Sequence, residues 1–307
     1  MQKITPHLWF DHQAKEAAQF YTAVFPNSRI INTSVIKNTP SGDCDIVSFE
    51  LWGHKFMSIS AGPLFRFNAS VSFIVNFDPL FFKEAASPEK AAREKIDAVW
   101  DKLSVDGTAI VPIGKAPFSE RYGCIQDKYG LTWQLILSNP EGEPRPTIIP
   151  ALTFSGDNAG RAEEAINFYV SVFKDTQKGP VYRYGPDHAP DTEGTVMYAD
   201  FMIENQWVAA MDSAREPANS FNEAISLLVS CQNQEEIDYY WKKLSAVPES
   251  EQCGWLKDKF GLSWQITPTA MDDMMNDKDP KRVARVTNAF LKMKKFDLAE
   301  LERVYQE

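Results

Sequence analysis

The sequence predicts an α+β protein that consists of a duplicated domain followed by a C-terminal helical tail. Three observations lead to this prediction. Four sequence blocks recur in the same order in the two halves of the 307-residue chain, each half shows the element order βαβββ twice, and helical spacing replaces this order after Pro268. Several blocks repeated in one order indicate a duplicated domain rather than chance.

The repeat is clearest near the end of each half. The first half reads YGCIQDKYGLTWQLI at 122–136, and the second reads CGWLKDKFGLSWQIT at 253–267. Two further pairs are AKEAAQFYTAVF with AEEAINFYVSVF and EKIDAVWDKLS with EEIDYYWKKLS, and a weaker pair is FNASVSF with FNEAISL. The blocks predict a first domain at 1–139, a second at 147–269 after a proline-rich linker, and a tail at 270–307.

The spacing of apolar residues assigns the elements. In the first half we expect helices at 14–25 and 91–103, and strands at 4–10, 29–36, 45–51, 55–60, 71–77, 108–113, 122–126 and 131–137. In the second half we expect helices at 162–173 and 235–244, and strands at 148–154, near 181, and at 195–203, 206–211, 224–229, 252–257 and 262–267.

The tail has the pattern of two amphipathic helices, at 279–294 and 298–305. Pro280 falls in the first turn of the first helix, and Asp297 is suited to cap the second. An amphipathic tail needs a surface to cover. We therefore expect it to pack on its own chain or across a dimer.

Composition limits the partners and the compartment. A formal net charge of −10 disfavours binding to nucleic acid or to anionic lipid. No apolar run approaches the roughly 20 residues needed to cross a bilayer, and Met1 is followed at once by a strand pattern without a leader. The cysteines show no paired spacing, which predicts reduced thiols and a cytoplasmic protein; they are Cys44, Cys124, Cys231 and Cys253.

The chain resembles PhnB-like proteins of the vicinal oxygen chelate superfamily, which also contains glyoxalase I, bleomycin-resistance proteins and dioxygenases. The resemblance covers nearly all of both halves and is carried by ITPHLWFDHQAKEAAQFYTAVFPNSRI, AGPLFRFNASVSF, CGWLKDKFGLSWQI and the tail DPKRVARVTNAFLKMKKFDLAELE. It implies tandem glyoxalase-like domains, in which paired βαβββ modules form a cupped mixed sheet around a cavity. Whether modules pair within a half or between halves stays open.

Many proteins similar to this one are described as 3-demethylubiquinone 3-methyltransferase-like. Methyl transfer needs S-adenosylmethionine, which is commonly held by a glycine-rich loop of a Rossmann-like domain. The sequence contains no Gly-x-Gly. It therefore disfavours methyl transfer, and we predict no cofactor.

The resemblance also implies four metal-ligand positions in each domain, typically His and Glu. In this chain the positions fall at Thr5, Ser58, Ser70 and Gln134 in the first half, and at Ile149, Ala210, Ala224 and Gln265 in the second. Hard and borderline cations prefer carboxylates and imidazoles, and none of the eight residues offers either. The sequence therefore predicts no metal ion.

The candidate ligand-binding residues are polar or aromatic side chains expected on the inner face of the sheet, namely His7, Trp9, Ser58, Ser70, Gln134, Asp212 and Gln265. His7 is either a hydrogen-bonded core or cavity residue or a metal ligand. Asp212 is either an inward carboxylate or a solvated residue past the strand end. Alternation turns Trp133 and Trp264 away from the inner face, towards the helices.

Three functional hypotheses follow. The first is a metal-free protein that binds a small apolar or aromatic molecule, with walls supplied by Trp9, Phe65, Phe67 and Phe73. The second is a variant metal-dependent lyase, isomerase or dioxygenase, whose ligands do not align. The third is that one half has lost its cavity and serves as a built-in partner, which leaves the first half as the active one. No catalytic residue is assigned, and a homodimer is an expected assembly.

Overall fold

The structure, a computed structural model, describes residues 2–138, 144–215 and 219–307. These residues form two mixed β-sheets and seven α-helices. Sheet A contains, in spatial order, β14 (Trp255–Lys257), β15 (Ser263–Pro268), β13 (Ile225–Cys231), β1 (Ile4–Phe10), β4 (His54–Ser60), β3 (Gly42–Leu51) and β2 (Arg29–Thr39).

Sheet B has eight strands in the described part of the chain. Their spatial order is β10 (Gln177–Arg183), β11 (Val196–Ile203), β12 (Gln206–Asp212), β9 (Ile148–Phe154), β5 (Val71–Phe77), β8 (Thr132–Leu137), β7 (Ser119–Gln126) and β6 (Thr108–Ala116). In the described residues three modules have the predicted order βαβββ, whereas the fourth has only two strands, β14 and β15, after its helix.

Each sheet joins one module from each half of the chain. In sheet A, β1 pairs antiparallel with β13, with Ile4 opposite Val229. In sheet B, β5 pairs antiparallel with β9, with Val71 opposite Leu152. The modules thus pair between halves, which settles the question that the sequence left open. The limits of the sequence repeat do not coincide with the limits of the sheets.

Two helices cover one face of each sheet. Helices α1 (Ala14–Val24) and α4 (Gln234–Leu244) pack on sheet A, and α2 (Pro88–Leu103) and α3 (Ala162–Val172) pack on sheet B. The apolar side chains beneath all four belong to one hydrophobic cluster. Trp133 and Trp264 are fully buried in it, which confirms that they face the helices.

The repeated Asp-Lys-aromatic-Gly-Leu block forms the turn between the last two strands of each half. In the second half, Asp258 Oδ1 accepts the backbone N–H groups of Phe260 and Leu262 at 2.8 and 3.1 Å. Its Oδ2 accepts the Trp264 indole N–H and the Tyr169 hydroxyl, both at 2.8 Å. Tyr169 lies on α3, so this carboxylate ties a helix on sheet B to the edge of sheet A.

The first half repeats the turn around Asp127. Its Oδ1 accepts the backbone N–H groups of Tyr129 and Leu131 at 2.8 and 3.1 Å, and its Oδ2 accepts the Trp133 indole N–H at 2.9 Å. The repeated block, which is the clearest sign of the duplication, therefore has a structural role.

Strand pairing holds the halves together. Within the second half, the modules are linked by the bond from Tyr169 to Asp258. Within the first half, they are linked by bonds from Lys128 and Tyr129 to Glu16 on α1.

The tail forms α5 (Ala270–Met275), α6 (Pro280–Phe290) and α7 (Leu298–Gln306). Asp297 caps α7 by accepting the Glu300 N–H, as predicted, whereas α5 was not predicted and α6 ends earlier than expected. The backbone N–H groups of Cys253 and Gly254 donate to tail carbonyls at 2.8 Å. The tail thus packs on its own chain, which is one of the two arrangements expected.

Among the described residues, no helix is both long enough and apolar enough to cross a bilayer.

Candidate functional site

A cavity of about 350 Å³ lies between the C-terminal tail and the face of sheet A opposite its helices, here called the open face of sheet A. The sheet contributes side chains that include Thr5, His7, Ser48, Met57, Leu228, Trp255 and Gln265. The tail contributes Met271, Met275, Phe290 and Phe296. The tail therefore forms one wall of the cavity and limits access to it.

His7 lies on β1 and is 3% exposed. Its Nδ1 atom has no hydrogen-bond partner among the described residues. The ring meets the edge of Trp255, with centroids 5.6 Å apart. Burial disfavours the charged imidazolium and lowers the pKa of His7 to about 4. At neutral pH the cavity therefore holds an uncharged imidazole.

Gln265 lies on β15 and is 7% exposed. Its Nε2 group donates to the Ser226 hydroxyl at 2.9 Å, and Ser226 is the register partner of His7 on the neighbouring strand. No donor within the described ranges reaches the Gln265 Oε1 atom. The side chain is thus anchored through its amino group, and its carbonyl oxygen is left free as an acceptor.

Two tryptophans flank this polar pair. Trp255 lines the cavity, and its ring centroid lies 6.1 Å from that of Trp9. The Trp9 indole N–H donates to the Gly62 carbonyl at 2.8 Å, and its ring also contacts Phe65. Trp9 therefore supports Trp255 on the same face as His7. Trp255 was not among the predicted site residues, although it stands at the position of Cys124 in the repeat and so marks a difference between the halves.

The equivalent glutamine in sheet B has no free acceptor. Gln134 Nε2 donates to the Ser72 hydroxyl at 2.9 Å, and its Oε1 accepts the Tyr122 hydroxyl at 3.0 Å. In the repeat, Cys253 stands where the first half has Tyr122. A tyrosine thus saturates the glutamine of sheet B, whereas the glutamine of sheet A keeps its carbonyl open.

An ion pair also lies on the open face of sheet B. The guanidinium of Arg145 contacts Asp200 at 2.7 Å and stacks over the Trp207 ring, 3.7 Å from its centroid. Asp200 is buried, and Trp207 belongs to the apolar cluster on this face. The protein's own side chains therefore occupy space on sheet B that is open on sheet A.

The structure corrects two predicted site residues. The Ser58 hydroxyl donates to the Ala14 carbonyl at 3.5 Å, on the helix side of β4, because the cavity side of that strand is formed by Met57 and Ile59. The Asp212 carboxylate accepts the N–H groups of Ala162 and Val196 at 3.0 and 2.9 Å. It caps the start of α3 and is buried, so it is neither an inward ligand nor a solvated residue.

Two further expectations also change. Ser70 is buried directly before β5, and Gln134 lies on β8, so both belong to sheet B rather than to the sheet of His7. The site near His7 is completed by Gln265 from the second half. The hypothesis that the first half alone is active stays a prediction, and residues of both halves line this cavity. Phe73 packs in the core against Trp133 and is not a cavity wall.

The donor set does not fit a divalent metal ion. Within residues 2–138, 144–215 and 219–307, no three His, Cys, Asp or Glu side chains are grouped closely enough to hold one. The buried polar side chains of the cavity are His7, Thr5 and Gln265, a single imidazole with neutral oxygens. A dication desolvated among such groups lacks the compensating carboxylates that hold it in proteins.

Comparisons with known proteins agree with this architecture. A family model described as 3-demethylubiquinone-9 3-methyltransferase matches residues 2–136 and 146–267. A PhnB protein from Bacillus cereus is 35% identical and covers 45% of this chain and 100% of its own, with a TM-score of 0.37. Glyoxalase I from Zea mays is 10% identical and covers 90% of this chain and 97% of its own, with a TM-score of 0.50. No match was found among curated proteins.

The fold and the paired modules are those of the vicinal oxygen chelate class, to which glyoxalase I belongs. Within it, the chain belongs to the PhnB-like family described as 3-demethylubiquinone-9 3-methyltransferase. That description gives no support to methyl transfer here. The sequence has no Gly-x-Gly, and both sheets are mixed rather than the parallel sheet that carries such a loop.

Proposed function

We propose that the protein binds a small, mostly apolar molecule in the cavity of sheet A, without a metal ion. The observation that supports this most directly is a cavity of about 350 Å³ with mainly apolar walls, in which His7 and Gln265 are buried. Ligand pockets of roughly 300–1,000 Å³ with apolar walls and a few placed polar groups are typical of small-molecule sites.

The difference between the two sheets supports the same choice of site. Gln134 is saturated by Tyr122, while Gln265 keeps a free carbonyl. A ligand that covers this oxygen without supplying a donor would leave it unpaired, at a cost of roughly 1–3 kcal/mol. A bound molecule that supplies a donor avoids this cost.

His7 is better suited to contact a ligand than to act as a base. An efficient general base has a pKa near the working pH, whereas burial lowers the pKa of His7 to about 4. Binding rather than proton transfer is therefore the role that we assign to the cavity.

The proposal is tested with a panel of small aromatic and aliphatic compounds, scored by the rise in melting temperature. Ser48→Leu adds two heavy atoms to the cavity wall formed by β3, and Thr33→Leu places the same side chain at an exposed site on the adjacent strand. Compounds that stabilise the wild type and Thr33→Leu, but not Ser48→Leu, support binding in the cavity. If no compound stabilises the wild type, or if Ser48→Leu responds equally, the proposal is wrong.

Assembly and compartment remain predictions. We propose a homodimer, which would have twice the 34.8 kDa mass of the chain in sedimentation equilibrium. The cysteines within the described residues are all free, which supports the proposed cytoplasmic compartment.

A further inference from the structure

We infer that the bound molecule is uncharged and carries a hydroxyl group, which binds between the side chains of Gln265 and His7. This inference rests on the proposed function and adds the chemical class of the ligand. It follows from which hydrogen-bonding atoms in the cavity are already used and which are free.

Gln265 presents its carbonyl oxygen to the cavity as an acceptor. One N–H of its Nε2 group donates to Ser226 at 2.9 Å, and the carbonyl oxygen points away from that hydroxyl. An apolar molecule that covers this oxygen would leave it unpaired. A ligand with an O–H group can donate to it, which a ketone, an ether or a carboxylate cannot do.

His7 supplies the complementary group. A neutral imidazole carries one N–H donor and one lone pair, so it can donate to a hydroxyl oxygen or accept from it. Ser226 is bonded to Gln265 and lies opposite His7 in the strand register, and both His7 and Gln265 line the same cavity. A hydroxyl group both donates and accepts, and it therefore matches a cavity lined by a carbonyl acceptor and a neutral imidazole.

The charges around the cavity argue against an anionic ligand. Among the residues that line the described cavity, Lys55 and Asp272 carry opposite formal charges, and both are exposed. The lining therefore offers an anion no net positive formal charge. Deeper in, a carboxylate would meet the Gln265 oxygen and an uncharged imidazole, so its desolvation would not be compensated.

The test compares four naphthalenes of similar size by isothermal titration calorimetry at pH 7: 2-naphthol, 2-methoxynaphthalene, naphthalene and 2-naphthoate. We expect 2-naphthol to bind about tenfold more tightly than the ether or the hydrocarbon, since a buried polar group left unpaired costs about that factor. We expect 2-naphthoate to bind most weakly of the four.

Variants locate the preference. Gln265→Met removes the carbonyl at similar volume, and we expect it to abolish the preference for 2-naphthol while naphthalene still binds. Gln134→Met makes the same change in sheet B and should leave the preference intact. If a variant does not fold, the wild-type series alone decides.

Each outcome has a defined meaning. Equal binding of 2-naphthol, its methyl ether and naphthalene overturns the hydroxyl inference and leaves the proposed function standing. Tightest binding of 2-naphthoate also overturns the inference. Absence of binding by all four overturns the inference and the proposed function together.

Discussion

The Tyr122 hydroxyl donates to the Oε1 atom of Gln134 at 3.0 Å. In the second copy of the same block, Cys253 replaces the tyrosine, and the Gln265 carbonyl is left open to a cavity. One substitution between the two repeats thus decides whether this glutamine carbonyl is paired within the chain or left free.

The first prediction concerns this hydrogen bond. Tyr122→Phe leaves Gln134 Oε1 without its donor and should lower the free energy of unfolding by about 1–2 kcal/mol in urea. The affinity for 2-naphthol should not change, because the bond lies in sheet B. Tyr182→Phe is the control, since that tyrosine is 54% exposed. A large loss of 2-naphthol affinity in Tyr122→Phe would contradict the assignment of the site to sheet A.

The second prediction concerns how the tail is held. Gly254 has φ +82°, and a Cβ there would lie 2.5 Å from the Phe296 ring and 3.0 Å from the Ile266 carbonyl oxygen. Gly261 has φ +83° with nothing within 4 Å. Alanine at either site should cost about 1 kcal/mol in backbone strain. Only Gly254→Ala should also displace Phe296.

Limited proteolysis measures this displacement. We expect faster cleavage within residues 279–307 in Gly254→Ala than in the wild type or in Gly261→Ala, with weaker binding of 2-naphthol because Phe296 forms part of the cavity wall. Identical cleavage rates in the two alanine variants would show that the tail does not depend on this contact.

The third prediction separates the repeated block from ligand binding. Asp258→Ala leaves four donors without their acceptor, and we expect a loss of about 4 kcal/mol or more in the free energy of unfolding. Lys259→Met removes an exposed ion pair to Glu164 and should cost about 1 kcal/mol or less. Chemical denaturation gives both values, and similar small losses in the two variants would refute the structural role of the carboxylate.

The fourth prediction concerns pH. The pKa of His7 is about 4 in the folded protein, below its ordinary value of 6.5. The unfolded chain therefore binds more protons between these values, and the stability associated with neutral His7 is present above about pH 6.5 and lost as the pH falls towards 4. The loss by pH 4.5 should be about 2–3 kcal/mol.

The comparison with His7→Phe isolates this effect. Burial raises the pKa of Asp258 to about 6 and lowers that of His54 to about 4, so both also titrate in this range. Asp258 acts in the opposite sense, because its contribution is lost as the pH rises through about 6. The unfolding free energy of the wild type minus that of His7→Phe should therefore decrease as the pH falls from 7.5 to 4.5, because only the wild type loses the stability associated with neutral His7. A constant difference would mean that the pKa of His7 is not lowered.

Much of the fold could be predicted from the sequence because each helix and strand is indicated by residues that lie close together in the chain. The repeated blocks fixed the element order, and strand alternation correctly turned Trp133 and Trp264 towards the helices. The pairing of modules could not be predicted, since all four share one predicted element order and either pairing satisfies the same strand patterns.

The site was only partly predictable for related reasons. His7 lies on the cavity as strand alternation indicates, but a shift of one residue moves Ser58 to the opposite face of β4. Asp212 caps a helix that begins 50 residues earlier, a contact with no local signal. The free carbonyl of Gln265 depends on which residue occupies position 253, a relationship that emerges only when the two sheets are compared.

The most direct test of binding in the sheet A cavity is the melting-temperature shift that 2-naphthol produces in the wild type, Ser48→Leu and Thr33→Leu. At a ligand concentration about 100 times the Kd, the stabilisation is about 2.7 kcal/mol, which corresponds to roughly 4 °C for a chain of this size. We predict this shift for the wild type and Thr33→Leu, and little or none for Ser48→Leu. An equal shift in all three proteins, or none in the wild type, would contradict the account.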